Sequence, residues 1–229
     1  MSRKPQSRGI CQYCGDETAK SGMAPHLAKC DKRIQIIQTA DARKEAEETL
    51  WHLRVQGAYA KDFWLDLEMR GSASLEKLDA YLRAIWLECC GHLSKFTVGG
   101  WQGYDVGKPR TADKVFVEET ELLHLYDFGT TSQTAIKVVG SRQGKATTKH
   151  PIALMARNNM PDNICQECDK SASYLCMQCL IEGDMDTNPY LCEEHAEDHP
   201  HTDYDEPIPL VNSPRLGMCG YAGPADPPY

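Results

Sequence analysis

The stretch CQECDKSASYLCMQCLIEGDMDTNPYLCEEHAEDHPH, residues 165–201, decides the architecture of the C-terminal part of the chain. Its metal-binding residue types fall into four sequential pairs: Cys165/Cys168, Cys176/Cys179, Cys192/His195 and His199/His201. A C-x2-C turn directs two sulfur atoms to one metal ion because the chain reverses tightly between them. Zinc takes four thiolate or imidazole ligands in a closed tetrahedral site, so these side chains suit two ions.

The order of the pairs predicts a cross-brace, in which alternate pairs share one zinc ion. One ion would be held by Cys165, Cys168, Cys192 and His195, and the other by Cys176, Cys179, His199 and His201. The spacing resembles the B-box and related treble-clef modules, although the second and third pairs are far apart and one residue separates the last two histidines. Asp184, Asp186 or Asp198 is an alternative final ligand.

Disulfide bonds are the alternative use of the eleven cysteines. The N-terminal sequence MSRKPQSRGICQYC has no apolar core of an export signal. Regular C-x2-C spacing without export is typical of metal binding, so thiolates that hold zinc are expected. The absence of an apolar run near twenty residues predicts that the chain has no membrane span. The missing export signal predicts a cytoplasmic protein. A net charge of -8 disfavours uniform coating of nucleic acid.

A second pattern near the N-terminus, C-x2-C-x11-H-x3-C, predicts a third zinc site. Its ligands are Cys11, Cys14, His26 and Cys30. The last two ligands are four residues apart, so they lie on one face of a helix. The pattern resembles small C2HC zinc fingers and assigns residues 1–33 to such a finger.

Seven basic residues accompany this finger: Arg3, Lys4, Arg8, Lys20, Lys29, Lys32 and Arg33. Clustered cations bind phosphates, so the finger is a candidate nucleic-acid interface. The alternative is a structural element that pins the N-terminus and carries a solvated basic face. One finger reads only about three base pairs, so sequence-specific DNA recognition by this finger alone is not expected.

Residues 34–49 predict a helical connector, because Ala, Glu, Lys and Gln dominate there. Residues 50–140 form the predicted central domain. Alternating apolar residues in WHLRVQ (51–56) and FWLDLEMR (63–70) predict two half-buried strands joined as a hairpin. SLEKLDAYLRAIWLECCG (74–91) predicts a helix with Ser74 as N-cap and Gly91 as its stop.

Four further strands are predicted in HLSKFTVGG (92–100), KVFVEE (114–119), ELLHLYDFG (121–129) and TAIKVVG (134–140). The order of elements predicts an α+β fold, with an antiparallel-rich sheet and one covering helix, flanked by small zinc-binding modules. His52 and His124 fall within the strand patterns and are interpreted as histidines of the sheet.

The segments HLRV (52–55), FWLDLEM (63–69), SLEKLDAYLRAIW (74–86), GHLSKF (91–96) and LYDFG (125–129) carry a family resemblance. Over about residues 50–140 the chain resembles the plasmid open-reading-frame-three-like family of insertion-element passenger proteins, which bear a resolvase-like label. The resemblance implies an α+β fold and a prokaryotic or mobile-element setting, with no defined biochemical role. The chain departs from the family at TTSQTAIKV after YDFG and at CCGHL.

No set of catalytic residues is evident in the sequence. A serine recombinase would need a nucleophilic serine among arginines, and none is found. Cys90 and His92 are close, but Cys89 and Cys90 end an apolar helix, where free cysteine is expected as a small core residue. A catalytic zinc keeps an open position, whereas the predicted sites have four protein ligands each, so structural ions are expected.

Two segments flank the acidic module predicted at 162–203. Residues 141–161 are predicted to be a basic linker, with a phosphate-binding arm as the alternative. Residues 204–229 are rich in proline and glycine and predict irregular chain. The resembled family ends in a similar SPR-x-G-x-C-G-Y-x-G string, which implies a tail docked on the core. Cys219 would then be a packed thiol or a spare ligand.

These features predict a non-catalytic zinc-binding interaction protein, an adaptor or regulator with three zinc ions, in a mobile-element or defence system. The cross-brace module would bind a protein partner, and the finger and basic linker are the candidates for nucleic acid. The alternative is a nucleic-acid-binding component of a DNA- or RNA-processing complex. A metal-dependent hydrolase is a third hypothesis.

Overall fold

The alternating segments at 51–56 and 63–70 lie side by side in a large antiparallel sheet. The computed structural model describes residues 6–229 except 185, 202 and 205. Its first part contains β1 (Arg8–Cys11), β2 (Glu17–Ala19), α1 (Lys20–Lys29), α2 (Asp31–Asp41), β3 (Glu48–Gly57), β4 (Trp64–Arg70), α3 (Leu75–Leu82), β5 (Ser94–Val98), β6 (Tyr104–Val106), β7 (Glu121–Tyr126), β8 (Ser132–Gly144) and β9 (Ile152–Asn158). Its second part contains β10 (Tyr174–Leu175), α4 (Met177–Glu182), β11 (Tyr190–Leu191), α5 (Glu193–Glu197) and β12 (Ile208–Pro209).

The first nine strands form one sheet in the order β2-β1-β9-β4-β3-β8-β7-β5-β6, and all neighbours are antiparallel. The last three strands form a small separate sheet with β10 in the middle. The prediction of a mixed fold of helices and strands with a large antiparallel sheet is therefore confirmed. None of the helices in the described part of the chain is long and apolar enough to cross a membrane.

One face of the large sheet packs against α3 and the π-helical turn that continues it over Arg83–Leu87. The fully buried residues at this interface include Leu53, Val55, Leu65, Leu67 and Phe96 from the sheet, and Leu78, Leu82, Ile85 and Trp86 from the helical segment. The alternation in β3 and the apolar stripe of the helix therefore meet in one core. Burial of this apolar surface is the main force that holds the helix on the sheet.

The opposite face of the sheet is also covered, so β4 is not half-buried as predicted. The carboxylates of Asp66 and Glu68 point to this face and are almost fully buried. Arg54 donates to Asp66 at 3.0 and 2.8 Å. Arg142 donates to Glu68 with two bonds of 2.9 Å, and Arg33 from α2 adds a third at 3.2 Å. Buried charges are tolerated because each has a hydrogen-bonded partner.

The N-terminal finger is part of the large sheet. Its strand β1 pairs with β9 as well as with β2. The indole of Trp64 is fully buried in a second apolar cluster that contains Met23 and Leu27 from α1 and Met155 from β9. The finger therefore shares a core with the central sheet.

The basic segment 141–161 is not a linker. Most of it lies in β8 and β9, inside the large sheet. The cations of Arg142 and Lys145 are used within the protein: Arg142 pairs with Glu68, and the Lys145 ammonium donates to the backbone carbonyl of Asp41 at the end of α2. The backbone N–H of Lys145 donates to the Asp41 carboxylate. The positive charge of Arg142 thus compensates an acidic group of the same fold.

Three other local predictions differ from the structure. The connector helix stops at Asp41, and β3 already begins at Glu48. KVFVEE is not a strand: a short 3-10 helix, Ala112–Lys114, leads into a turn, and Phe116 packs edge-on against Trp51. The central helix ends at Leu87 rather than at Gly91, and no side-chain bond caps its start at Ser74.

The proline-rich tail makes specific contacts with the core. The fully buried Arg215 donates to the carboxylate of Asp127 at 2.8 Å and to the carbonyl of Thr130 at 2.9 Å. Ser213 donates to the backbone carbonyl of Trp86 at 2.6 Å. Strand β12 also pairs with β10. The tail therefore contacts both the central domain and the C-terminal module.

Replacement of Gly9 in β1 by alanine is expected to destabilise the protein by about 1–3 kcal/mol, the usual cost of overpacking. A Cβ atom there would lie 2.3 Å from the carbonyl oxygen of Arg157 and 2.6 Å from the indole of Trp64. Gly140→Ala in β8 is the control, because a Cβ there meets no atom within 4 Å. Chemical denaturation measures the difference; equal effects of the two variants would contradict the packing of β1 on Trp64.

Candidate metal centres

The N-terminal cluster brings together the four side chains that the sequence pattern selects. Cys11 ends β1, Cys14 lies in the following turn, His26 is in α1, and Cys30 lies between the two helices. The Cys14 sulfur and His26 Nε2 are 3.3 Å apart. Burial opposes ionisation of Cys30, but backbone N–H groups, first that of Arg33, outweigh it and lower the pKa of the thiol.

The C-terminal module contains two clusters with interleaved ligands. One consists of Cys165, Cys168, Cys192 and His195, and the other of Cys176, Cys179, His199 and His201. In the first cluster the sulfurs of Cys168 and Cys192 are 3.9 Å apart, and Cys165 Sγ lies 3.4 Å from His195 Nδ1. In the second, Cys179 Sγ is 3.4 Å from His199 Nε2 and 3.2 Å from His201 Nδ1. The first and third ligand pairs of the module thus meet in one cluster, and the second and fourth pairs meet in the other.

The distances fit a tetrahedral ion. With Zn–S of about 2.3 Å and Zn–N of about 2.0–2.1 Å, neighbouring ligand atoms in a tetrahedron are about 3.3–3.8 Å apart. The measured separations in the three clusters fall in or near this range. All eleven cysteines of the chain are free thiols. Each cluster could therefore hold a metal ion, and the disulfide alternative has no support.

The small sheet positions the C-terminal ligands. Cys176 follows β10 and begins α4, while Cys192 follows β11 and begins α5. Antiparallel pairing of β10 with β11 holds these two points side by side. The cysteines and Leu191 form a common buried cluster, so the ligands themselves supply much of the core of this module.

The alternative aspartate ligands do not join either cluster. Asp184 is exposed and instead accepts bonds from the backbone N–H of Asp186 at 3.1 Å and from the hydroxyl of Thr187 at 2.9 Å. Asp198 is also exposed. The described arrangement completes the second cluster with His201.

Three of the five basic residues of the finger that the structure describes have contacts within the protein. Arg8 pairs with Glu17 at 2.5 Å, and Arg33 contributes to the buried pair with Glu68. Lys20 donates to Gln56 and to the Lys61 carbonyl; its burial and the nearby Arg54 lower its pKa to about 8. Lys29 and Lys32 are exposed beside the metal cluster. Arg3 and Lys4 lie outside the described residues.

A fourth cluster was not predicted from the sequence. It contains Cys89, Cys90, His92 and Cys219. The prediction that Cys90 is a core residue is wrong, because the side chain is exposed. The sequence signal was available in the closely spaced Cys89, Cys90 and His92, but its last member lies 127 residues away from His92 and has no local pattern.

A buried polar network joins α3 to β5 and β7. The Asp79 carboxylate accepts hydrogen bonds from Ser94 at 2.6 Å, Lys108 at 3.0 Å and His124 at 2.7 Å. Burial opposes the charge of Asp79, but these donors hold its pKa well below the usual range. His124 is fully buried, which lowers its pKa and keeps the ring neutral. Asp79 is satisfied by donors of the same fold, whereas the buried Nδ1 of His124 has no hydrogen-bond partner within the described residues. The contacts between α3, β5 and β7 support a structural role.

No family model matches this sequence, and no curated protein matches it. Among solved structures, the chain is similar to a protein of unknown function from Methanosarcina mazei Go1. The TM-score is 0.38 at 19% sequence identity, and the match covers 45% of this chain and 66% of that protein. The chain thus spans just under two thirds of that protein, and this similarity supports no inference about function.

Double substitutions test the interleaved pairing in the C-terminal module. Cys165→Ser combined with Cys192→Ser damages one cluster and is expected to remove one metal equivalent. Cys165→Ser combined with Cys176→Ser damages both and is expected to remove two. Metal analysis of the reduced full-length chain measures the loss; the reverse pattern would indicate that consecutive rather than alternate pairs share an ion.

Replacement of Asp79 by alanine is expected to destabilise the protein by about 1–3 kcal/mol, because the fully buried His124 would lose its hydrogen-bond partner. The control is Asp105→Ala, which breaks the exposed pair with Lys95 and is expected to cost no more than about 1 kcal/mol. Denaturant unfolding compares the two variants. Similar midpoints for both would contradict the structural role of the network.

Proposed function

We propose that this chain is a non-catalytic zinc-binding interaction protein, an adaptor or regulator, whose acidic C-terminal module binds a basic protein partner. The observation that carries the proposal is a pair of exposed apolar side chains in that module. Leu180 is 43% and Ile181 is 53% exposed, both on α4. Exposed apolar neighbours are typical of surfaces that bind another molecule.

We infer that the three predicted clusters bind zinc and that these ions are structural. Thiolate and imidazole ligands favour zinc, and four protein ligands leave no open position for a substrate or a reactive water. The C-terminal module would then be a B-box-like cross-brace whose small core depends on its ions. This supports an interaction role over hydrolysis.

The surroundings of α4 indicate the chemistry of the partner. Residues 162–229 contain fourteen acidic and two basic residues. Glu182, Asp184 and Asp186 are exposed next to the apolar pair. A shallow groove beside Ile181 is lined by Met177, Tyr204 and Ile208. A segment with lysine or arginine beside apolar residues would complement both the charge and the groove.

The finger has less support as a nucleic-acid interface. Its strand belongs to the large sheet, and Lys20 and Arg33 are bound within the protein. The basic segment 141–161 likewise lies in strands. Both features favour the finger as a structural element. The family resemblance of the central domain adds a mobile-element or defence setting to the proposal.

Selection of a displayed random peptide library on the zinc-loaded, full-length chain tests the proposal. Enriched peptides are expected to combine basic and apolar residues. Binding of a synthetic consensus peptide should weaken by at least about tenfold in the double variant Leu180→Ser/Ile181→Ser, as for truncation at an interface hot spot. Val139→Ser, at an equally exposed apolar residue on β8, is the control and should bind normally.

Peptides that bind both variants equally, or a library without enrichment, would contradict the adaptor proposal. Titration with duplex DNA and single-stranded RNA examines the alternative. A salt-sensitive complex that is lost in Lys29→Gln/Lys32→Gln would favour the nucleic-acid component, because neutralising phosphate contacts weakens binding to all sequences.

A further inference from the structure

The fourth cluster joins two parts of the chain that are distant in sequence. Cys89, Cys90 and His92 follow the central helical segment, and Cys219 lies in a short 3-10 turn of the tail, Met218–Gly220. Their four ligand atoms lie within 4.8 Å of one another. The cluster therefore has the composition of a Cys3His metal site, which is the same as that of the N-terminal finger.

The local backbone explains how adjacent cysteines reach one point. Neighbouring residues on a helix point apart, but the chain leaves the helical segment at Glu88, whose backbone is extended. The sulfurs of Cys89 and Cys90 are then 3.5 Å apart. Gly91, with φ of +76°, allows the chain to fold back and bring His92 to the same point.

Two of the next three distances fall within the range of the three predicted clusters, and the third, between Cys90 and His92, is shorter. Cys90 Sγ lies 3.8 Å from Cys219 Sγ and 2.9 Å from His92 Nε2, and His92 Nε2 lies 3.4 Å from Cys219 Sγ. A tetrahedral zinc ion needs separations of about 3.5 Å between sulfur and nitrogen and about 3.8 Å between sulfurs. A disulfide would need sulfurs at about 2.05 Å, which the free thiols do not approach.

The groups around the cluster compensate its negative charge. Three thiolates and one imidazole leave a zinc site with a net charge of about −1. The fully buried guanidinium of Arg215 donates to Cys89 Sγ at 3.4 Å. Asp127 lies 3.5 Å from His92 Nε2, but its carboxylate is already held by Arg215 and by the backbone N–H of Gly129. The Glu88 carboxylate fixes the loop through the N–H of Gly91 at 2.6 Å.

The cysteine inventory gives an independent argument. The chain has eleven cysteines, and each of them belongs to one of the four Cys/His clusters. The three histidines outside the clusters have other contacts: His52 with Asp66, His124 with Asp79, and His150 stacked on Tyr229. The thiols of the fourth cluster, like those of the three others, are therefore grouped with further Cys or His ligand atoms rather than isolated.

We propose that Cys89, Cys90, His92 and Cys219 bind a further zinc ion, which clamps the tail to the central domain. The clamp would fix the turn at Gly217–Gly220, which forms one wall of the groove beside Ile181. Cys90 and Cys219 are exposed, whereas no ligand of the other three clusters is. This ion would accordingly be the first of the four to be lost to a chelator.

Metal counting on the reduced, full-length chain, by elemental analysis and native mass spectrometry, tests the clamp. We expect four zinc ions in the wild-type chain and three in both Cys219→Ser and His92→Gln. Two controls should retain four zinc ions. Met218→Leu changes the residue next to Cys219, and His150→Gln changes a histidine outside the clusters. A colorimetric chelator should remove one ion faster than the rest, and Cys219→Ser should lack this fast phase.

Three results would overturn the proposal. One is a wild-type chain with no more zinc than Cys219→Ser and His92→Gln. Another is a fast phase that persists in Cys219→Ser. The third is a disulfide between Cys90 and Cys89 or Cys219 in protein purified under reducing conditions. The ion count is independent of peptide binding, so failure of the clamp and failure of the adaptor proposal are distinguishable.

Discussion

Two buried carboxylates, those of Asp66 and Glu68 on β4, constrain the rest of the central domain. A charge can be buried only when a partner neutralises it, and each carboxylate here is met by arginine. Arg54 comes from the neighbouring strand, Arg142 from the basic segment, and Arg33 from the helix after the finger. Arg54 and Arg142 lie on strands of the same sheet, whereas the pair of Arg33 with Glu68 holds α2, the helix after the finger, against this face.

The need to neutralise these buried carboxylates also explains part of the uneven distribution of charge along the sequence. Basic segments in a protein of net charge -8 suggest an external anion, yet much of their charge compensates acidic groups of the same molecule. The acidic residues of the C-terminal module differ, because many of them are exposed around an apolar pair on α4. Much of the basic charge in the first part of the chain thus lies in ion pairs within the fold, while many acidic side chains of the C-terminal module are exposed.

The sequence predicted those features that depend on neighbours along the chain. Ligand spacing identified the members of three clusters, and alternation identified β3 and the apolar side of β4. Features set by distant partners were missed. The buried pairing of Glu68 depends on Arg33 of α2 and Arg142 of β8, and Cys219 gains its neighbours only when the tail docks. KVFVEE has strand-like composition, but it does not join the sheet, and its Phe116 packs on Trp51 instead.

The pairing of β1 with β9 has a consequence for synthesis of the protein. Gly9 lies opposite Asn158, so the N-terminal strand cannot take its place until almost 150 further residues have left the ribosome. Contacts of such long range slow folding. The four ligands of the finger, by contrast, all lie within residues 11–30 and could therefore bind an ion early in synthesis. An ion bound at this stage would protect the thiols of the finger until β9 has been synthesised and can pair with β1.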